Sequence, residues 1–304
     1  MTATAKEFAG IYRGKQQHEP DFEAVLDRAM TAGVTKVMLT GMSLQDVDFN
    51  LNIAKSRPKQ CFITIGVHPY HASEPDAEGP DYYERMTDRI MGLLAGNPCP
   101  LAAFGELGLD YDHLNHAPKE AQIRTFKAQL ELFVSKNLQL PLFLHCRAAF
   151  GDFVEIIQPY LQALPRRGLV HSFVGTEPEM VALVGMGFDI SVNGFSFRDD
   201  QSLEMVKLIP LERLQIETDA PWGEIPASSD VAKRYLAHAP ALPARKKKDK
   251  FQMGCMVKDR NESCTISHVA FVVAGLKVMK VEEIANAAWK NSNKMFFPGE
   301  SDKE

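Results

Sequence analysis

Six residues that could bind a metal ion or orient a reacting group each follow a short apolar run. They are His68 in GVHPYHA, Glu106 in GELGLDYD, His145 in LHCRAAF, His171 in VHSFVGT, Asn193 in SVNG and Asp219 in IETDAPW. Imidazole and carboxylate groups without thiolates suit zinc or manganese. Magnesium is an alternative where carboxylates, water and a phosphate fill the coordination shell. These residue types therefore indicate a divalent cation.

The positions of these residues after successive apolar runs predict that they meet in space. The carboxyl ends of parallel strands lie on one face of a sheet or barrel, so residues far apart in sequence converge there. Glu106 and Asp219 buried together need a counter-charge, because burial and like-charge repulsion both oppose their ionisation. A divalent cation supplies this charge and can activate a bound water, which predicts hydrolysis. Redox chemistry is disfavoured, because the sequence has no dinucleotide-binding glycine motif.

The apolar runs alternate with segments of helical periodicity. Strands are predicted at 36–41, 61–67, 101–107, 141–146, 168–172, 188–193 and 214–219. Helices are predicted around 20–32, 44–57, 79–95, 118–137, 149–164, 177–186, 200–209, 265–279 and 281–296. Apolar strands between helices indicate a parallel sheet covered on both faces, either doubly wound or closed into a barrel. Since no Pro/Gly/Ser-rich linker divides the chain, one domain over 1–304 is expected.

Composition limits the classes of partner and compartment. The 304 residues are 45% hydrophobic, with a formal net charge of -5, so a site for a polyanion must be local. The N-terminus has no apolar signal segment and no run of about 18 apolar residues occurs, which predicts an intracellular protein, cytoplasmic or nuclear. The five cysteines lack CxxC spacing and are expected to be reduced thiols.

Basic residues follow the last predicted strand. The polar stretch 222–264 is expected to be a long loop, followed by C-terminal helices over 265–297. The loop carries the run ARKKKDK, then Lys258 and Arg260. Together with Arg147, these side chains could hold a phosphate backbone, although a solvated surface explains the run taken alone equally well.

The motifs GVHPYHA, GELGLDYD, LHCRAAF, VHSFVGT, IETDAPW and KDRNE resemble, in this order, those of the TatD-type metal-dependent deoxyribonucleases. The segment FAGIYRGKQQH extends the resemblance in the manner of the eukaryotic branch. The resemblance implies an α/β fold of the (β/α)8 TIM-barrel type within the amidohydrolase-like barrels. It also implies one or two divalent cations, magnesium or manganese in use with zinc as an alternative, and hydrolysis of DNA as a 3′–5′ exonuclease.

The resemblance further implies roles for individual residues. Glu106 would be shared between two cations, with His145 and His171 completing the second metal site. Asp219 would bind the first cation and orient or deprotonate the attacking water. His68 would contact the scissile phosphate or a metal-bound water.

The chain departs from the family at its start. The family's barrel begins with a strand that ends in an HxH pair or a modified form of it, and no such strand precedes FAGIYRG here. The expected fold is therefore a (β/α)8 barrel lacking its first strand, with unpaired backbone edges at 36–41 and 214–219. A shortened form of a longer sequence and a true absence are both open, and either removes ligands from the first metal site.

Two other functions remain open. A metal-dependent amidohydrolase acting on amides or lactones would use the same ligands, although that class often carries a bridging lysine where Glu106 stands here. The other is a barrel impaired in metal binding that has a binding role. DNA is the predicted partner, no membrane partner is expected, and the oligomeric state is open, a monomer included. Asp110 and Asp112 are expected to be solvated loop acids, and His113 and His116 to be surface or structural residues.

Overall fold

A sheet of parallel strands, ordered as they occur along the chain, organises the protein. The computed structural model describes residues 1–298. Its strands are β1 (Ile11–Tyr12), β2 (Lys15–Gln16), β3 (Val37–Leu39), β4 (Cys61–Ile65), β5 (Leu101–Asp110), β6 (Leu142–Arg147), β7 (Gly168–Val170), β8 (Asp189–Val192), β9 (Leu214–Ile216), β10 (Arg245–Lys246) and β11 (Met256–Val257). Its α-helices are α1 (Phe22–Thr31), α2 (Val47–Ser56), α3 (Glu74–Glu78), α4 (Tyr82–Leu94), α5 (Lys119–Ser135), α6 (Phe150–Ile157), α7 (Glu177–Gly185), α8 (Asp200–Leu208), α9 (Asp230–Tyr235), α10 (Ile266–Lys277) and α11 (Val281–Phe296). Every predicted strand and helix is confirmed with ends shifted by a few residues, except that the helix predicted at 149–164 is α-helical only over Phe150–Ile157 and continues as a 3-10 helix over Gln158–Ala163.

Strands β3 to β9 form one seven-stranded parallel sheet in chain order. Parallel neighbours need a crossover connection, and the connections here run through helices on the outer face of the sheet. The predicted α/β barrel wall of seven strands is therefore confirmed.

Alternation along the strands decides which residues face the interior of this curled sheet. On β6, Leu144 joins the large core between sheet and helices, whereas Phe143 joins a smaller inner cluster. His145 follows Phe143 by two residues and faces the same side, because successive side chains of a strand point to opposite faces. On β7 the same rule places Leu169 inside, and His171 after it.

Helix α11 closes the interior near the amino ends of the strands. Met295 and Phe296 of this helix belong to the inner cluster with Phe143. Just beyond the helix, the ring of Phe297 lies 4.4 Å from that of Phe62 on β4. The opposite end of the interior, at the carboxyl ends of the strands, holds the polar residues.

The sheet does not close, because β3 and β9 are its two edges and do not pair with each other. We call the gap between them the seam. It holds a cavity of about 450 Å³ whose lining includes Met38, Gln215, Ile216 and Trp289. The prediction of unpaired edges at 36–41 and 214–219 is confirmed for the described residues.

Among residues 1–298, backbone bridges the seam at its carboxyl end only. The Met1 ammonium group donates to the Met38 carbonyl at 2.9 Å. The Thr2 amide donates to the Ala220 carbonyl, on the other side of the seam, at 3.0 Å. Below this bridge the two edge strands face the cavity.

The polar region 222–264 contains a short helix, α9, and the two-residue parallel pair of β10 and β11. Within residues 1–298, no individual helix is long and apolar enough to cross a membrane, although two consecutive helical segments, 263–277 and 281–296, meet that test jointly despite a bend of 113°.

Candidate metal centre

Glu106 lies at a break in the pairing of β5 with β6. The register passes from Gly105 opposite Phe143 to Leu107 opposite Leu144, so Glu106 is the extra residue of a β-bulge. Bulges re-aim side chains, and here the carboxylate turns towards the histidines of the interior. A Cβ at position 105, where φ is +148°, would lie 2.2 Å from the Phe143 carbonyl oxygen. Glycine there allows the close approach of the two strands.

Three histidines from three different strand ends converge on one oxygen of Glu106. The Oε1 atom lies 2.9 Å from His145 Nδ1, 2.5 Å from His171 Nε2 and 3.3 Å from His68 Nε2. All four residues are buried. The potential ligand atoms of His68, Glu106 and His145 lie within 4.8 Å of one another.

A second carboxylate stands behind each of two histidines. His145 Nε2 lies 3.0 Å from Asp110 Oδ2, and His171 Nδ1 lies 3.5 Å from Glu217 Oε1. Metal-binding histidines usually present one ring nitrogen to the ion while the other donates to a carboxylate. His145 and His171 have this arrangement around Glu106, so the donor set fits a divalent cation.

The ring of His68 is oriented differently. Its Nδ1 accepts a hydrogen bond from the Tyr70 amide at 3.1 Å. The proton of the neutral ring therefore lies on Nε2, the atom that faces Glu106. Burial lowers the pKa of His68 to about 4, which keeps the ring neutral near pH 7. His68 is thus suited to donate a hydrogen bond.

Charges in the centre compensate one another. Burial alone would raise the pKa of Glu106, but the charge of His171 and the hydrogen bonds from His145 and His171 hold it well below its usual value. Burial would lower the pKa of His171, yet Glu106 and Glu217 raise it well above its usual value. Since ligands must give up their protons to bind a metal, a cation held by these residues would displace protons from histidine.

Asp219 lies past the end of β9, on the seam side of the centre, with a backbone φ of +54°. Burial and the negative charges of Glu217 and Glu106 raise the pKa of its carboxyl group to about 6, although His171 opposes this rise. Glu217 is held more firmly, because its Oε1 accepts from the Ser172 amide at 2.6 Å.

Two acidic residues of the centre were not assigned from sequence. Asp110 was expected to be solvated, but β5 extends to this residue and the side chain is fully buried against His145. Glu217 lies within the motif IETDAPW, in which only Asp219 is predicted to act at the site. Residues two apart on a strand point to the same face, and this spacing could have predicted both acids. Asp110 lies two residues after position 108 and four after Glu106, and Glu217 precedes Asp219 by two. Asn193 is buried and donates to Glu217 at 3.2 Å.

The three basic residues predicted to hold phosphate have different surroundings. The half-buried guanidinium of Arg147 lies 5.6 Å from the Phe195 ring centroid, and Lys258 is exposed. The prediction that Arg260 holds phosphate is wrong. This side chain is 1% exposed and donates to Asp21 at 2.6 Å and to Glu262 at 2.8 Å. These bonds fasten the loop motif KDRNE to the start of α1, and the side chain is enclosed away from any substrate.

The expected surface or structural role of His113 and His116 agrees with their exposure, and both in addition contact residues beside the centre. His113 Nδ1 lies 2.9 Å from Asp110 Oδ1. The ring of His116 stacks on Tyr70 with centroids 4.2 Å apart and planes inclined by 10°.

Comparison with known proteins gives consistent results over nearly the whole chain. The model of the TatD related DNase family matches residues 12–297. "Deoxyribonuclease Tat-D" of Schizosaccharomyces pombe is 41% identical over 296 residues, covering 95% of this chain and 92% of the relative. "3'-5' ssDNA/RNA exonuclease TatD" of Erwinia billingiae is 33% identical over 290 residues, covering 94% and 97%. An uncharacterized amidohydrolase from Saccharomyces cerevisiae has a similar structure, with a TM-score of 0.89 and 29% identity, covering 97% and 98%.

Proposed function

This chain belongs to the TatD-related DNase family, and we propose on that basis that it is a metal-dependent nuclease that hydrolyses phosphodiester bonds of DNA. One observation carries the proposal: two histidines each place one ring nitrogen on Glu106 Oε1 and the other against a second carboxylate. A fold-level likeness alone would not require this geometry.

Glu106, His145 and His171 are the residues that would hold the cation, and Asp219 would contribute to a second one on the seam side. When bound, magnesium or manganese, with zinc as the alternative, polarises a phosphoryl oxygen and lowers the pKa of a coordinated water. The outer carboxylates of Asp110 and Glu217 orient the two histidine rings.

His68 and Asp219 are the proposed proton-handling residues. The Nε2–H of His68 would donate to an oxygen of the scissile phosphate, since its Nδ1 is already occupied by the Tyr70 amide. Asp219 would accept a proton from the attacking water, and a pKa of about 6 suits this role near neutral pH.

The substrate is proposed to be a DNA end degraded in the 3′–5′ direction, as the printed name of the bacterial relative indicates for that protein. Arg147 and Lys258 would contact backbone phosphates, which adds affinity without sequence preference.

The test is release of nucleotides from 5′-labelled single- and double-stranded DNA with magnesium or manganese, and with a chelator. We expect metal-dependent shortening from the 3′ end by the wild-type protein and none by Glu106→Ala. Glu204→Ala, which removes an exposed carboxylate from α8, is the matched control and should retain activity.

Three outcomes would overturn the proposal. Activity that survives Glu106→Ala would exclude the mechanism. Inert behaviour on DNA together with hydrolysis of amides or lactones would identify an amidohydrolase. Weak metal binding with no hydrolysis of any of these substrates would leave a binding role.

A further inference from the structure

Tyr70, His113 and His116 form an aromatic cluster beside the candidate metal centre. Tyr70 stacks on His116 at 4.2 Å and lies 5.2 Å from the ring of His113, both measured between centroids. Tyr70 is only partly buried and His116 is exposed. Since one face of His116 is covered by Tyr70, its exposure comes from the opposite face and the ring edges.

The cluster is joined directly to the proposed catalytic residues. The ring of Tyr70 packs edge-on against His68, with centroids 4.5 Å apart. His113 contacts Asp110, the carboxylate that orients His145. Only two ring contacts therefore separate the exposed face of His116 from His68, where the reacting phosphate is proposed to lie.

Packing of the fold does not account for the position of His116. The segment around it also exposes Leu114, whose exposure is 45%, so the cluster does not seal an apolar core. A cationic group is near the cluster, since Arg147 acts electrostatically on Tyr70. Flat rings with cations nearby are the surface that single-stranded nucleic acid uses for base stacking and phosphate contact.

We propose that Tyr70 and His116 form a stacking platform for an unpaired base next to the scissile phosphate. The proposal rests on the nuclease function proposed above and adds to it the side chains that would select single-stranded ends. A base inside a duplex has both faces covered by its neighbours and only the outermost base has a free face, so an unpaired end offers more bases that can stack on His116. Any base has a π-face, and the platform therefore sets strand preference rather than sequence preference.

The kinetic test uses single-stranded oligonucleotides that differ by one abasic nucleotide, placed at the 3′ end or at the penultimate position. In the wild-type protein, one of these positions should raise KM by about 5- to 10-fold with little change in kcat. In His116→Ala, KM for the intact oligonucleotide should rise by a similar factor and the abasic penalty should disappear. His116→Phe should restore both values, because a flat ring is retained.

A matched control and a binding measurement separate this proposal from the nuclease function. His238→Ala removes an exposed histidine that makes no ring contact within residues 1–298 and should leave KM unchanged. Binding of an oligonucleotide with 2-aminopurine at the same position should quench its fluorescence in wild type and not in His116→Ala.

An abasic penalty of equal size in His116→Ala and wild type would overturn the platform while leaving the nuclease function intact. Quenching that is lost in His116→Ala, in a protein without nuclease activity, would support the platform and reject the nuclease function. Absence of quenching in the wild-type protein would reject the platform.

Discussion

The wall formed by β5, β6 and β7 and the seam between β3 and β9 meet at the same candidate centre but support it differently. β5 pairs with β6 over most of its length, and each of these wall strands has a neighbour on both sides. β3 and β9 are three residues long, and each has a strand neighbour on one side only.

The proposed catalytic groups therefore fall into two sets, one on the wall and one on the seam side. Glu106, His145 and His171 follow from the wall, where backbone pairing and, for His145, the buried carboxylate of Asp110 fix their orientation. Asp219 follows the edge strand β9, and its carboxylate makes no hydrogen bond to another group within residues 1–298. The wall therefore preorganises cation binding, whereas proton transfer through Asp219 depends on the less supported side of the molecule.

The largest expected difference between wall and seam is in the stability lost when a leucine is truncated. Leu144→Ala, on the helix-facing side of β6, should lower the free energy of unfolding by about 3 to 4 kcal/mol, because it opens a cavity in a packed core. Leu169→Ala, on the wall strand β7 but on the interior side that faces the seam cavity, should cost only about 2 kcal/mol, since its side chain already borders that cavity. Urea unfolding of both variants measures this. Equal losses would mean that the seam is packed as tightly as the wall.

A smaller effect is expected in metal affinity when the outer carboxylates are neutralised. Asp110→Asn should weaken binding of Mn²⁺ by about 10- to 100-fold, because it removes the acceptor that orients His145 on the wall. Glu217→Gln should weaken it by about 10-fold, since the contact with His171 is longer, at 3.5 Å. Titration calorimetry gives both values, and Asp112→Asn, an exposed neighbour, is the control. A larger loss for Glu217→Gln would place the main support on the seam side.

The wall was also the more predictable part of the molecule from sequence. Apolar runs and the period of two predict that Glu106, His145 and His171 share one face, because these are local properties of strands. The bulge at Glu106 depends on how β5 pairs with β6, which no local pattern encodes. The sequence predicts that Arg260 is a surface cation, because its partner Asp21 is far away in sequence and contacts it only in the folded protein.

The smallest expected effect concerns a buried acid beside the seam. Asp189 accepts a hydrogen bond from Gln215, a residue lining the cavity, at 3.0 Å, and pairs with Arg213 at 3.3 Å. Burial raises the pKa of Asp189 despite these two partners.

An acid whose pKa is higher in the folded than in the unfolded state keeps its proton longer when folded, so its contribution to stability falls as the pH rises from about 4 towards neutral. The side chain in Asp189→Asn does not ionise. The variant should therefore be more stable than the wild type by less than about 1 kcal/mol at neutral pH, and its free energy of unfolding should depend less on pH. If the variant is instead less stable than the wild type at neutral pH, the ion pair with Arg213 outweighs the cost of burying the charge, and the seam side is electrostatically as well supported as the wall.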